Sequence, residues 1–281
     1  MPQDLFVEVG GARVRYWQQG ETGSPVLLLH GIACSVLEWK QNIDALAKHH
    51  RVYAVDLLGF GLSDKPANES YSLDSLAEFV FRFMDAVNLG EAHLAGNSLG
   101  SRLALKCAAN EPGRVTSLLL TDPAGMARRG TLFEFRLTTL PFLGELLSRP
   151  TSFGIRMLWR KAFANPDAFV TDDLVATKVS MASAPGALAA FLKTLRGFVD
   201  LQGFRPETVA QLHQEMPRIE APCLVVWGRE DQFVPVEHAQ VLRESVANVE
   251  VQVWDNCGHV PQIECASRFN QTALDFWNPA G

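Results

Sequence analysis

The stretch LAGNSLGSRLA, residues 94–104, sets Ser98 between Gly96 and Gly100 where a short apolar run gives way to a helical pattern. A serine hydroxyl is a weak nucleophile and attacks a carbonyl only when it is exposed and activated by a base. A sharp strand-to-helix turn would lift the hydroxyl clear of a sheet and set it over a helix N-terminus, where free N–H groups and positive potential gather. Such a turn presses two stretches of backbone together, so residues without a Cβ suit both flanks. Ser101 and Ala104 are small enough to let the helix lie near the sheet.

A nucleophilic serine needs a base, and the base needs an orienting carboxylate. Of the seven histidines, His49 and His50 close a predicted helix, His93 sits in a predicted strand, and His213 and His238 fall in helical patterns. His259, in VWDNCGHVPQIE, lies in a glycine-containing loop directly after the last predicted strand. In open α/β sheets, ligand chemistry collects in loops at the carboxyl ends of parallel strands. Asp231, in VVWGREDQFVP, occupies another such loop, and Ser98, Asp231 and His259 then run in the order nucleophile, acid, base. Asp122, in LLTDPAG, is a rival acid at a strand end; a buried or capping carboxylate accounts for it, and Asp231 is preferred. Two backbone donors complete the set: the N–H of Leu99, next to the nucleophile, and that of Ile32, in the turn after LLLHG. Each such donor stabilises a developing oxyanion by about 3 kcal/mol in comparable sites.

These residues need a particular scaffold. Apolar runs at Leu5–Val9, Arg13–Gln19, Val26–His30, Val52–Asp56, Ala92–Ala95, Ser117–Thr121, Cys223–Trp227 and Val249–Trp254 read as strands. The first two flank Gly10-Gly11 as a hairpin, and the later ones are nearly all apolar, as strands covered on both faces must be. Helical patterns at Val36–Lys48, Leu73–Asn88, Leu99–Asn110, Val236–Val246 and Cys265–Trp277 alternate with them, so a mainly parallel sheet follows. Residues 126–212 break the alternation. Rich in Phe, Leu, Met and Arg and divided by prolines, they are expected to form a helical cap on a core built from residues 1–125 and 213–281.

Composition excludes several classes. A net charge of −6 with scattered basic residues does not suit nucleic acid, and no apolar run is long enough to span a membrane. The start, MPQDLFVEVGG, lacks the pattern of a secretory signal, and five cysteines match neither a disulfide framework nor a zinc site. A cytoplasmic protein with reduced thiols is the expectation, with no cofactor, no metal and a homodimer as the one assembly entertained.

Taken in order, HGIACS, DLLGFGLSDKP, GNSLG, GREDQFVP and CGHVPQIE resemble the α/β-hydrolase superfamily over nearly the whole chain outside the cap. The resemblance implies an α/β-hydrolase fold with an eight-stranded, mostly parallel sheet, the triad Ser98, Asp231 and His259, and the oxyanion pair Ile32 and Leu99. GNSLG, GREDQFVP and CGHVPQIECASRFNQTALDF are similar to the meta-cleavage-product hydrolases, which cleave carbon–carbon bonds in vinylogous diketones. The chain departs from them at Ile32-Ala33-Cys34, at Ser101 and at Val260 after the histidine. The leading expectation is a carboxylesterase acting on small to medium apolar acyl or aryl esters. Carbon–carbon hydrolysis is the alternative, and a lactonase or a non-catalytic binder stands behind it. Asn97, Val260 and Trp159 are expected to touch substrate. An inward-facing arginine among Arg136, Arg149, Arg156, Arg160, Arg196 and Arg205 would favour a carboxylated one.

Overall fold

The computed structural model describes residues 1–278. In chain order the strands are β1 (Leu5–Val9), β2 (Ala12–Gln19), β3 (Pro25–Leu29), β4 (Arg51–Val55), β5 (Ala92–Asn97), β6 (Val115–Thr121), β7 (Val199–Asp200), β8 (Gly203–Phe204), β9 (Cys223–Gly228) and β10 (Val249–Trp254). Eight of them form one sheet in the order β1-β2-β4-β3-β5-β6-β9-β10, parallel from β4 onward with β1 and β2 antiparallel at one edge. The mostly parallel eight-stranded sheet expected of an α/β hydrolase is the one found.

Why the central strands are chiefly apolar is visible in β3. Leu27 and Leu29 join one core with helices α2 (Leu73–Ala86) and α3 (Leu99–Asn110), while Val26 and Leu28 join a second with α1 (Ile43–Leu46) and α13 (Ala266–Trp277). Successive side chains point to opposite faces, and both faces are covered. α3 lies so deep that Arg102 and Lys106 are buried; Glu215 answers both, at 3.0 and 2.7 Å.

The expected helix over 36–48 is instead a 3-10 turn at Val36–Trp39 followed by the short α1. At the break, the Asn42 side chain donates to the Gln262 carbonyl and to Asn270 Oδ1, both at 2.9 Å, so distant partners replace helical bonds.

The interval 126–212 contains α4 (Phe133–Thr138), α5 (Leu143–Leu147), α6 (Ser152–Arg160), α7 (Pro166–Phe169), α8 (Asp172–Ala182) and α9 (Ala187–Phe198). The ribbon β7–β8 lies there too; two-residue strands carry no periodic signal, and the sequence showed none. The expected boundary at 212/213 falls inside α10 (Pro206–Glu215), whose last residue holds the α3 cations. Helical spacing continues through this junction, so nothing local marks a division. Glu264, the last residue of α12 (Pro261–Glu264), ties the interval to the core by accepting the backbone N–H groups of Ala164, Asn165 and Gly258 at 3.1, 2.8 and 2.7 Å.

Candidate active site

Ser98 stands between β5 and α3 with φ 55° and ψ −112°, a backbone conformation that costs a non-glycine residue about 1–3 kcal/mol. The turn is over-determined by its bonds. The Ser98 N–H donates to the Thr121 carbonyl at 2.9 Å, and the Ser98 carbonyl accepts from Arg102 at 3.0 Å. A Cβ on Gly96 would lie 2.4 Å from the Gly100 carbonyl carbon, and one on Gly100 would lie 2.1 Å from the Leu29 oxygen. Both glycines are therefore steric requirements. Ser101 adds a bond of its own, its hydroxyl donating to the Gly96 carbonyl at 2.7 Å.

β9 and β10 deliver the other two groups. His259 Nδ1 and Asp231 Oδ2 are 2.7 Å apart, and Asp231 Oδ1 accepts the N–H groups of Phe233 and Val234 at 2.7 and 3.1 Å. Phe233 stacks on the imidazole, centroids 4.7 Å apart, so the ring is held in plane as well as by its bond. From the other side, the His259 N–H donates to the Ala162 carbonyl at 2.8 Å and its carbonyl accepts from Asn97 Nδ2 at 2.9 Å. Asn97 thus anchors the His259 loop to the end of β5, beside Ser98.

Asp122 is the third carboxyl present. Its Oδ1 accepts the Gly228 N–H at 2.9 Å, and burial, reinforced by the charge of Asp231, pushes its ionisation well above the carboxylate range. Burial thus favours its neutral form beside an Asp231 already bonded to His259. Ligand atoms of Asp122, Asp231 and His259 lie within 4.8 Å of one another. Two of the three are already bonded to each other, His259 Nδ1 to Asp231 Oδ2.

The loop carrying Ile32 lies against Ser98: a Cβ on Gly31 would stand 3.4 Å from the Ser98 Cβ. His30 braces it, Nε2 accepting the Leu57 N–H at 3.0 Å while Nδ1–H donates to the Gly31 carbonyl at 2.7 Å. Complete burial lowers its pKa to about 4, so the ring keeps this one tautomer.

Beside the loop is a cavity of about 490 Å³ running from Ala33 and Cys34 past Phe60 and Phe135 to Leu147 and Met157. Ser98 and His259, 8% and 6% exposed, do not belong to its wall. Phe135 does, and it packs edge-on against Phe233, the ring that covers His259.

None of the three residues expected to touch substrate lines this cavity. The Asn97 amide is spent on His259 and Thr121, and Trp159 and Val260 are buried together in a cluster with Phe163 and Val175. Among the expected arginines, Arg149 alone reaches the wall; Arg156, Arg160, Arg196 and Arg205 pair with Asp172, Asp167, Glu145 and Glu207, and Arg136 donates to the Leu201 carbonyl. One cation was missed. Lys178 of α8 is buried against Glu38, with the Trp159 ring 4.2 Å from its ammonium. A lysine on a helix reads as a solvated residue, and only the fold brings Glu38 to it across 140 positions.

Residues 24–266 match the family model for the alpha/beta hydrolase fold. The chain is 32% identical over 276 residues to the dihydrolipoyllysine-residue acetyltransferase component of an acetoin cleaving system from Pseudomonas putida, covering 98% of this chain and 69% of that protein. It is 30% identical over 273 residues to 2-hydroxymuconate semialdehyde hydrolase from Pseudomonas sp. (strain CF600), covering 95% and 90% of the two. Among solved structures it resembles a meta-cleavage product hydrolase from Pseudomonas fluorescens IP01, with TM-score 0.83, 28% identity and coverage of 99% and 98%. A membrane phospholipase A described as a bacterial virulence factor aligns with TM-score 0.80, 31% identity and coverage of 99% and 87%. On the family match, these likenesses and the fold, the chain belongs to the α/β-hydrolase family, in the part of it that includes the meta-cleavage-product hydrolases.

Proposed function

We propose that this hydrolase cleaves carboxylic esters of apolar acyl or aryl groups through an acyl-enzyme. The observation carrying this reading is the cavity: its walls are chiefly Phe, Leu, Ile, Met and Ala, and the buried lysine beside it is neutralised by Glu38. Such a site accepts an uncharged chain readily. The likeness to a phospholipase supports the same reading.

In the mechanism, the cap moves enough to let the carbonyl reach Ser98, as lids of this kind do. His259 takes the hydroxyl proton while Ser98 Oγ bonds to the carbonyl carbon. Asp231 holds the imidazolium that forms, and the N–H groups of Ile32 and Leu99 hold the oxyanion. The tetrahedral intermediate collapses, His259 returns the proton to the departing alkoxide oxygen, and an alcohol leaves. Water then repeats the sequence on the acyl-enzyme, releasing the acid and restoring Ser98.

Carbon–carbon hydrolysis is the second reading, and the names of several relatives fit it better than they fit ester hydrolysis. Arg149, on the cavity wall and without a carboxylate within ion-pair reach among the described residues, would receive the acid group of such a substrate. Initial rates on p-nitrophenyl esters of increasing acyl length, beside a phenyl-substituted dioxohexadienoate, separate the two. Ester turnover that Ser98→Ala abolishes, with little dienoate cleavage, is the expected result. Dienoate cleavage far exceeding ester hydrolysis would replace the first reading with the second, and binding without turnover of either would make the protein a receptor.

A further inference from the structure

One stretch of the surface is unlike the rest. Of the eleven large apolar residues exposed among the described residues, seven fall between positions 133 and 157. Phe142 is 89% exposed, Phe153 77% and Phe133 61%, far beyond the scattered leucines any soluble surface carries. Their spacing is that of helix faces. Leu143 and Leu147 lie one turn apart on α5, and Phe142, just before the helix, lies one turn from Leu146. On α6, Phe153 and Met157 share a side, while Ile155 and the buried Trp159 occupy the opposite one. Phe142 also holds φ 64°, a left-handed conformation rare for a bulky side chain, and nothing buries the ring in return.

The charge of this region runs against that of the whole chain. Residues 126–165 carry seven basic residues and two acidic ones, Glu134 and Glu145, in a protein of net charge −6. Asp172, Asp167 and Glu134 pair with Arg156, Arg160 and Lys161, but Arg136 and Arg149 have no carboxylate within ion-pair reach among the described residues. The patch is also continuous with the cavity, because Leu147, Arg149 and Met157 are at once exposed and part of its wall.

We propose that the α4–α6 face docks on an anionic lipid bilayer, with the phenylalanines and leucines entering the boundary between headgroups and acyl chains. Short amphipathic helices with aromatic and aliphatic residues on one side and arginines at the edge bind such surfaces through buried apolar area and attraction to anionic headgroups. The arginine stems lie along the apolar surface while the guanidinium groups reach the phosphates. Docked this way, the mouth of the cavity faces the bilayer, and an acyl chain passes into it without crossing water. That last step rests on the ester reading above; the docking does not.

Sedimentation with vesicles of phosphatidylcholine, with and without phosphatidylglycerol, tests the docking without any turnover. The full-length protein is expected to pellet with the anionic vesicles and to be released by salt, because the arginine attraction is screened. Phe142→Ser/Phe153→Ser is expected to lower the bound fraction at least ~10-fold, while hydrolysis of a soluble short-chain ester stays unchanged, since neither ring lines the cavity. Failure to bind either vesicle overturns the proposal, as does equal binding to both. So does a concentration-dependent dimer in sedimentation velocity that the double variant dissolves, because a second copy would then be what covers this face. Vesicle binding without turnover of any ester would leave the docking standing and remove the ester reading alone.

Discussion

At the scale of single residues, two aspartates compete for one histidine, and their surroundings separate them. Asp231 accepts two backbone N–H groups and the His259 ring, whereas Asp122 is fully buried, which raises its pKa, and accepts a single N–H. Asp231→Asn should therefore lower kcat by roughly 10⁴-fold, as loss of the orienting carboxylate does in comparable triads. Asp122→Asn, an isostere of the protonated acid, should leave kcat within about tenfold. The two variants also part in stability. A carboxyl whose folded pKa is raised favours the folded state below its unfolded value near 4, and that benefit is lost as pH climbs toward the folded value. Asp122→Asn should then melt higher than the parent protein under alkaline conditions, by a margin that shrinks on acidification. A larger loss of turnover in Asp122→Asn than in Asp231→Asn would reverse the assignment.

At the scale of elements, the contact between α8 and the core turns on one ion pair. Burial alone would lower the Lys178 pKa, but the Glu38 carboxylate overcomes this and holds it above its ordinary value. Glu38 also accepts the Ser35 N–H at 2.5 Å, closing the capping box of the turn that follows the oxyanion loop. Removing one partner of a buried pair strands the other charge, which costs about 3–5 kcal/mol. Lys178→Met should show a loss of that size in chemical denaturation. Lys178→Met/Glu38→Gln should recover most of it, because glutamine keeps the capping acceptor and carries no charge. If the double variant is no more stable than the single one, the pair is not the source of the loss.

At the scale of the whole molecule, buried imidazoles set the acid limit. Burial lowers His30 and His93 to about 4. A histidine with a depressed pKa contributes stability that is complete above its unfolded value near 6.5 and drains away as pH falls toward the folded one. For the fully buried His30 this is worth about 3 kcal/mol. Asp56, raised by burial to about 6, and Asp122, raised well above its ordinary value, work in the opposite sense over much of the same window, but His50 and His238, also lowered by burial, add to the two rings. The melting temperature should fall steadily between pH ~6.5 and ~4, less steeply in His93→Asn. A flat profile over that window would show that neither ring resists protonation in the folded chain.

The sheet, the turn at Ser98 and the Asp231–His259 pair were legible in the amino-acid order because each depends on short-range physics. A strand covered on both faces must be apolar along most of its length, as Val26–Leu29, Val52–Val55 and Leu118–Leu120 are. A serine held at positive φ between close-packed backbones needs Gly96 and Gly100. Asp231 and His259 follow the ends of adjacent parallel strands, so pairing β9 with β10 brings their loops together. What depended on distant partners was not legible. The helix expected over 36–48 breaks because Asn42 finds acceptors more than 200 positions away. Asn97, Trp159 and Val260, expected at the substrate, are instead consumed by bonds and packing that exist only in the folded chain. Lys178 and Glu38 carry no local mark of their pairing, and the exposed phenylalanines of α4 to α6 and the turns before them read like core residues until the fold leaves them outside. Local sequence determined which backbone shapes and which nucleophile, acid and base were available. The tertiary structure decided which polar groups are satisfied, which charges are neutralised and which apolar faces remain uncovered, because those are sums over neighbours that residue order does not contain.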